Sequence, residues 1–310
     1  ITHKVVTDDY VKDSSGTGVV HIAPAFGEDD FRICVNKNVI SSHGDGMRCP
    51  VDRNGCFIEP LTEDFICRNV KECDKDFIEF MKRDNSLFKR INTSHQYPYC
   101  WRSDTPLIYK AVPSWFVEVT KIKDQMIENC EKTNWVPDYV KSKRFHNWLQ
   151  DAKDWGISRN RFWGTPMPIW TDGEEYVCVS SASELEQLAG LEKGSITDIH
   201  RENIDDIVII SSKTGNILKR VEFVFDCWFE SGSMPYASQN YHLNKNVKFP
   251  ADFIAEGLDQ TRGWFYTLLI IGTALHNQAP FNNVIVNGLV LAEDGKKMSK
   301  RLKNYPDPQL

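Results

Sequence analysis

Four cations fall within six residues late in the chain: Lys296, Lys297, Lys300 and Arg301, with Ser299 among them and the turn dipeptide Asp294-Gly295 just ahead. Ammonium groups on a loop of this kind could neutralise a triphosphate as charge develops on it, with Ser299 as a hydroxyl donor and Gly295 as a hinge. The same composition also describes a solvated basic turn or a localisation signal. A second cluster, Glu256-Gly257-Leu258-Asp259-Gln260, sets two carboxylates and an amide ahead of an apolar stretch. A third spans residues 15–30, where Thr17 stands between two glycines that let backbone approach a ligand closely. There His21 could order a sugar hydroxyl or a water, and Asp29-Asp30 could hold a cationic amino group. A helix-capping aspartate and a core histidine are the plainer reading of those residues.

The elements that must position these groups are legible from periodicity. Ala251–Glu256 alternates around Phe253 and Ala255 as a short strand. Asp259 can cap a helix over Thr261–His276, whose apolar residues recur at helical spacing. Asn283–Leu291 is β-branched and apolar, a second strand. Strand, helix and strand with short joints make a βαβ crossover, the building unit of parallel sheets. Ligands of such sheets bind beyond the carboxyl ends of the strands, where the first two clusters fall. Alternation at Val221, Phe223 and Phe225 marks another strand, entering Asp226-Cys227-Trp228-Phe229-Glu230-Ser231-Gly232.

Elsewhere the pattern predicts a strand at Val19–Ile22, helices at Asp74–Lys82, Ile122–Cys130 and Ala182–Leu191, and a strand tendency at Glu202–Ile210. Strand-favouring runs cover Leu107–Tyr109 and Trp115–Val119. Val140–Asp151 reads as a helix with a basic face through Lys141, Lys143 and Arg144, interleaved with Phe145, Trp148 and Trp155. That pattern suits RNA backbone contact as well as an amphipathic helix with its aromatics in the core. Trp101 and Arg102 stand at a Pro- and aromatic-rich junction, where packing and RNA contact both fit. His200 and Cys178 stand alone and read as structural.

With 310 residues, 41% hydrophobic and 26% charged, the chain can bury a sizeable core and suggests two domains. A net charge of −6 excludes a generic nucleic-acid binder but not a local basic face. The nine cysteines are odd in number and contain no CxxC pair, which speaks against a zinc ribbon or a secreted disulfide framework and for reduced thiols in the cytosol. No bound metal is expected. No signal peptide opens the sequence, and the apolar run at Phe265–Leu275 is too short for a membrane span. A start at Ile1 without methionine suggests a fragment of a longer protein.

Lys297-Met298-Ser299-Lys300-Arg301 resembles the KMSKS-type loop of the class I aminoacyl-tRNA synthetases, and its place after a second strand and the turn Ala292-Glu293-Asp294-Gly295-Lys296 matches that family. Trp155–Gly164, sequence WGISRNRFWG, resembles the family's WCISRQRxWG segment, with Gly156 where cysteine is common. WFESGSMPYA, SRNRFWGTPMPIW and EGLDQTRGWF together are closest to the isoleucyl branch. Glu230 replaces a frequent aspartate, a eukaryotic-type variant. The resemblance covers nearly the whole chain. It implies an α/β fold: the second half of a class I synthetase Rossmann-like parallel sheet, plus part of an inserted mixed α/β editing domain. The implied boundaries are 1–95 for the end of the editing domain, 96–150 for a return linker, and 151–310 for the catalytic half, with a small connective insertion at about 171–222.

The same resemblance implies roles. Lys297, Ser299 and Lys300 would be catalytic, stabilising the departing pyrophosphate. Glu256 and Gly257 would contact the adenylate, and Asp259 would take the ribose hydroxyls, a vicinal diol being a natural bidentate donor to a carboxylate. Gln260 would touch the amino acid's polar end, and Gly288 and Val290 would lie near the adenine. Trp228 and Trp264 would wall the isoleucine pocket. ATP with Mg²⁺, isoleucine and its tRNA are the implied substrates, the cytoplasm the location, and a multi-synthetase assembly a possible setting. GTGVVHIAP followed by GEDD resembles the editing domain of the isoleucyl, valyl and leucyl enzymes, placing Thr17, His21 and Asp30 in a hydrolytic pocket; Phe26 replaces a histidine of many bacterial members. Editing has a physical reason: an apolar pocket separates side chains differing by one methylene only weakly, and isoleucine against valine is the standard illustration. The family's HxGH signature does not occur in these 310 residues, so this stretch alone is expected neither to activate isoleucine nor to edit. A valyl-type sister, a non-catalytic tRNA-binding protein and a stand-alone editing hydrolase are the rival readings.

Overall fold

The structure, a computed structural model, describes residues 4–14, 16–42, 44–59, 63–92, 94–100, 103–241, 243–244, 246–299, 302–307 and 309. Lys300, Arg301, Trp101 and Arg102 therefore lie outside the described residues. The chain divides into two compact units, Ile1–Pro113 and Ser114–Leu310.

The first unit holds helices α1 (Glu28–Asn36) and α2 (Asp74–Arg83) and a 3-10 turn, Glu63–Phe65. Val51, Phe57, Phe65 and Cys73 form its core, with Phe77 of α2 stacked on Phe65 at 4.1 Å. The strand expected at Val19–Ile22 is not one: extended backbone becomes a strand only by pairing, and Val19 and Val20 stand exposed without a ladder. Leu107–Tyr109 likewise forms no strand; its neighbour Pro106 makes a single bridge to Tyr99. Nor does Asp29 or Asp30 cap α1, whose N-cap is Gly27.

The second unit opens with β1 (Phe116–Val117), α3 (Val119–Glu131), β2 (Asn134–Val136), a π-helical turn (Val140–Phe145) and α4 (His146–Gln150). β3 (Trp155–Gly156), β4 (Ser158–Arg159), β5 (Ile169–Thr171), β6 (Tyr176–Cys178), α5 (Ala182–Ala189), α6 (Arg201–Ile204), β7 (Ile209–Ile210) and β8 (Ile217–Arg220) follow. Then come β9 (Val224–Phe225), α7 (Cys227–Gly232), α8 (Met234–Ala237), β10 (Ala251–Gly257), a 3-10 turn (Leu258–Arg262), α9 (Trp264–His276) and β11 (Phe281–Asn287).

β10, β11 and β2 form a three-stranded parallel sheet in that order. The expected crossover is there, with shifted ends: β11 starts at Phe281 and stops at Asn287, four residues short of Leu291, and the helix begins at Trp264 after a 3-10 turn. α9 is buried on all sides from Phe265 to Thr273, as an apolar helix between other elements must be. Trp135 of β2 contributes to the same core, its ring against Phe145, Phe265 and Phe281.

The antiparallel sheet β6-β5-β8-β7 has its own core of Trp170, Val179, Leu185, Ile204, Ile209 and Leu218. α5 is delimited as sequence rules require, Ser181 accepting from the Glu184 N–H and Gly190 closing the helix in the left-handed region. The expected strand over Glu202–Ile210 is instead α6 followed by a two-residue β7. Asp205, the C-cap of α6, pairs with Arg201 one turn back at 2.9 Å, a contact that suits the helix.

Candidate functional site

The carboxyl ends of β10 and β11 lie side by side, Glu256 opposite Val286 and Gly257 opposite Asn287. Beyond β10 the chain turns tightly. A Cβ at Gly257 would sit 2.8 Å from Asp259 Oδ1, so a side chain there would have to displace the Asp259 carboxylate. The helix cap expected of Asp259 is supplied by Gln260 instead: its Oε1 accepts from the Trp264 N–H at 2.9 Å, and its Nε2 donates to Asp259 Oδ2 at 3.3 Å. Asp259 is thus left exposed on the rim beside Glu256.

This turn is braced from behind. Thr261, fully buried, donates to the Leu258 carbonyl and accepts from Arg144 Nε at 3.2 Å. Arg262 lies over the Trp148 ring at 4.8 Å. Lys141 turns its ammonium into the carbonyls of Glu131 and Thr133. Of the three cations on the basic face of Val140–Asp151, Lys141 is turned inward, while Arg144 braces Thr261 and, like Lys143, stays exposed.

The two tryptophans meet at the same place. α7 packs on α9 closely enough that a Cβ on Gly232 would fall 2.9 Å from Ile271 Cδ1 and 3.1 Å from the Thr267 carbonyl oxygen. Trp264 Nε1 donates to the Ser231 carbonyl at 2.9 Å. Trp228, 38% exposed, brings its ring edge to 3.4 Å from where a Cβ on Gly263 would be. One aromatic surface from α7 and one from the start of α9 thus border the rim that carries Glu256, Asp259 and Gln260.

After β11 the chain is open. A Cβ at Gly288 would meet nothing within 4 Å, and Val290 is 77% exposed. Leu291 bridges to Lys297 around a turn with Gly295 at φ +74°, the left-handed region where glycine belongs. Lys297 is exposed and Ser299 half-buried. Asn304, unremarked in the sequence, holds this segment by accepting from the Ser299 N–H at 2.9 Å and donating to the Lys297 carbonyl at 3.3 Å. Lys300 lies outside the described residues.

Another residue without a sequence signal is Asp226. Its Oδ2 accepts from Arg159 Nη2 at 2.6 Å and Trp155 Nε1 at 3.1 Å, and its Oδ1 from the Trp228 N–H at 3.2 Å. It ties WGISR to DCWFESG. His200, expected to stand alone, stacks on Trp163 at 4.4 Å and sits 2.6 Å from Asp198.

In the first unit, Asp30 Oδ2 accepts from the Ala23 N–H at 2.8 Å, bracing the turn that contains Ala25 and Phe26. Thr17 Oγ1 donates to the Val19 carbonyl at 3.1 Å and His21 is exposed. Thr17 and His21 lie on the chain ahead of α1, and Asp30 in its first turn.

Among the described residues no group of three His, Cys, Asp or Glu could hold a metal ion, and no helix is long and apolar enough to cross a membrane. A cavity of about 280 Å³ lined by Asn129, Lys132, His276 and Gln278 among others opens at the opposite, amino-terminal rim of the sheet, away from this chemistry.

Residues 10–310 match the family model for class I tRNA synthetases (I, L, M and V). The chain is similar to the probable cytoplasmic isoleucine–tRNA ligase of Dictyostelium discoideum, 57% identical over 98% of this chain and 29% of that protein. It is similar to the cytoplasmic isoleucine–tRNA ligase of Arabidopsis thaliana, 56% identical over 98% of this chain and 26% of that protein. A bacterial isoleucine–tRNA ligase, from Bdellovibrio bacteriovorus, is as similar, 56% identical over 98% of this chain and 28% of the relative. The chain spans less than a third of the length of these relatives.

Proposed function

Because this chain belongs to the class I tRNA synthetases, we propose that it is part of a cytoplasmic isoleucine–tRNA ligase. In this reading it carries the second half of the nucleotide-binding sheet and the end of an editing domain. The whole protein would condense isoleucine with ATP, release pyrophosphate and pass the acyl group to a tRNA ribose. The isoleucine carboxylate attacks the α-phosphorus, so positioning and charge stabilisation dominate the protein's share of the work. Magnesium enters with ATP as part of the substrate.

Asp259 takes the ribose diol, Glu256 and Gly257 face the adenylate, and Gly288 and Val290 border the adenine. Gln260 approaches the amino acid's polar end, and Trp228 and Trp264 wall its side chain. Lys297, Ser299 and Lys300 stabilise the departing pyrophosphate. The observation that carries this reading is the meeting of Trp228 and the Ser231–Trp264 bond at the rim bearing Asp259. Isoleucine rather than valine is favoured because the relatives at 52–57% identity bear that name. Thr17, His21 and Asp30 would serve hydrolysis of misattached valine.

The test uses the full-length protein in ATP–pyrophosphate exchange across amino acids. Trp264→Ala is expected to raise the isoleucine KM about tenfold or more, and Lys297→Ala to lower kcat with little change in that KM. Exchange driven best by valine would establish the valyl-type sister. Absence of exchange with any amino acid, alongside tRNA binding that survives Lys297→Ala, would establish a binding protein.

A further inference from the structure

We infer that Asp226 is a positioning residue for side-chain selection: it fixes the attitude of Trp228 by pinning the first turn of α7 to the β3–β4 segment. The inference rests on Trp228 being a wall of the amino-acid pocket.

The Asp226 side chain is only 6% exposed, and a carboxylate taken out of water is costly unless fully paired. Here it is paired on both oxygens. Oδ2 accepts from Arg159 Nη2 and Trp155 Nε1. Oδ1 accepts from the Trp228 N–H and, at 3.6 Å, from Cys227 Sγ. The Asp226 N–H donates to the Ile157 carbonyl at 2.7 Å. Arg159 is itself immobilised, its Nη1 donating to the Gly156 carbonyl at 2.7 Å and its own neighbour's, Ser158, at 2.9 Å. The guanidinium is therefore an anchor of fixed orientation, as its planar fork allows.

An ordinary N-cap serves its own helix and nothing else. Asp226 does that with one oxygen and refers the helix to a separate segment with the other. The distinction matters because α7 has only six residues, too few to hold a direction by itself. Two further tethers reach it from different sides: Glu230 Oε1 accepts from the Thr165 N–H at 3.1 Å, and the Ser231 carbonyl accepts from Trp264 Nε1. Three tethers to three segments define the orientation of a short rigid body. Trp228, two residues past Asp226, inherits it.

The experiment measures isoleucine- and valine-dependent pyrophosphate exchange by the full-length protein carrying Asp226→Asn or Arg159→Lys, with Trp228→Ala as reference. Asp226→Asn keeps the shape but faces Arg159 and Trp155 with an amide. It is expected to raise the isoleucine KM about tenfold, narrow the isoleucine-over-valine ratio of kcat/KM at least about threefold, and leave the ATP KM within about twofold. Arg159→Lys, at a side chain 43% exposed that tolerates change, decides the matter if Asp226→Asn fails to fold, with smaller shifts in the same direction. Wild-type isoleucine KM and discrimination in the folded variants, with only melting temperature or yield reduced, overturn the inference and leave a structural cap. If Trp228→Ala itself leaves the isoleucine KM unchanged, the pocket reading falls and this inference with it.

Discussion

Replacing Gly232 by alanine asks whether the α7–α9 contact is at its steric limit. The new Cβ would lie 2.9 Å from Ile271 Cδ1, 3.1 Å from the Thr267 carbonyl oxygen and 3.2 Å from its carbonyl carbon. The isoleucine tip can turn aside. The Thr267 backbone cannot, since it is mid-helix in α9 and its residue is buried. α7 must retreat by a few tenths of an ångström. Overpacking of this kind costs about 1–3 kcal/mol, and the better helix propensity of alanine returns about 1 kcal/mol, for a net loss of about 0–2 kcal/mol. In a unit of this size that is a fall of up to about 8 °C in melting temperature, at about 2–4 °C per kcal/mol. The functional effect is sharper, because Ser231, the acceptor for Trp264 Nε1 at 2.9 Å, is the adjacent residue. The isoleucine KM of the full-length protein is expected to rise about three- to tenfold in pyrophosphate exchange while the ATP KM holds. Gly232→Val should exceed it on both readings. Gly232→Ala with an unchanged or higher melting temperature and a wild-type isoleucine KM would refute the reasoning.

Asn304→Ala removes its two hydrogen bonds to residues 297–299, each worth about 1 kcal/mol, so single-turnover adenylate formation should slow about tenfold with the isoleucine KM unmoved. A wild-type rate would show that the segment needs no such brace. Burial pushes the Cys130 thiol up to about 12, whereas Cys67 and Cys178 are exposed. Peptide mapping after iodoacetamide at about pH 8 should therefore find Cys67 and Cys178 labelled well before Cys130, and early labelling of Cys130 would mean that α3 detaches readily. Asp172 accepts from the Glu175 N–H, Asn216 Nδ2 and the Glu174 N–H, and these bonds hold its carboxyl down at about 2. A lowered folded value means a contribution to stability that is complete above the usual carboxylate value of about 4 and disappears as pH falls toward 2. Its carboxyl carbon should titrate in NMR with a midpoint near 2, and a midpoint at the ordinary value would show the turn to be open.

What could be read from the sequence was what repeats locally. The β10–α9–β11 crossover announces itself through strands of seven residues and a thirteen-residue helix, and the loop around Lys297 through a dense run of cations. β2 escaped because three residues before a proline carry no period, although Trp135 proves central to the core. Val19–Ile22 had the composition of a strand but finds no partner, and composition cannot supply one. The braces escaped for a different reason. Arg159 and Asp226 are 67 residues apart and Arg144 and Thr261 are 117 apart, so each pair is visible only once the chain has folded. The same pairing gives Lys141 and Arg144 of the basic face a bracing role that spacing alone did not show.

On the proposed reading the two halves of the candidate site would be built to different tolerances, and their proposed chemistry gives the reason. Side-chain selection must resolve about one methylene, worth little energy, so its walls cannot drift. Accordingly Trp228 and Trp264 stand on elements bound through Asp226, Glu230, Ser231 and Gln260. Charge stabilisation needs only that cations arrive as the charge forms, and a loop can bring them. Accordingly residues 288–297 are exposed apart from Ala292, and a Cβ at Gly288 would meet nothing within 4 Å. Loosening a tether should thus erode isoleucine-over-valine discrimination before it erodes turnover, and altering the loop should erode turnover before discrimination. A series pairing Asp226→Asn and Gly232→Ala with Asn304→Ala and Lys297→Ala places each variant on those two axes. Equal losses on both axes in both groups would mean that the site moves as one body and that this division of labour does not exist.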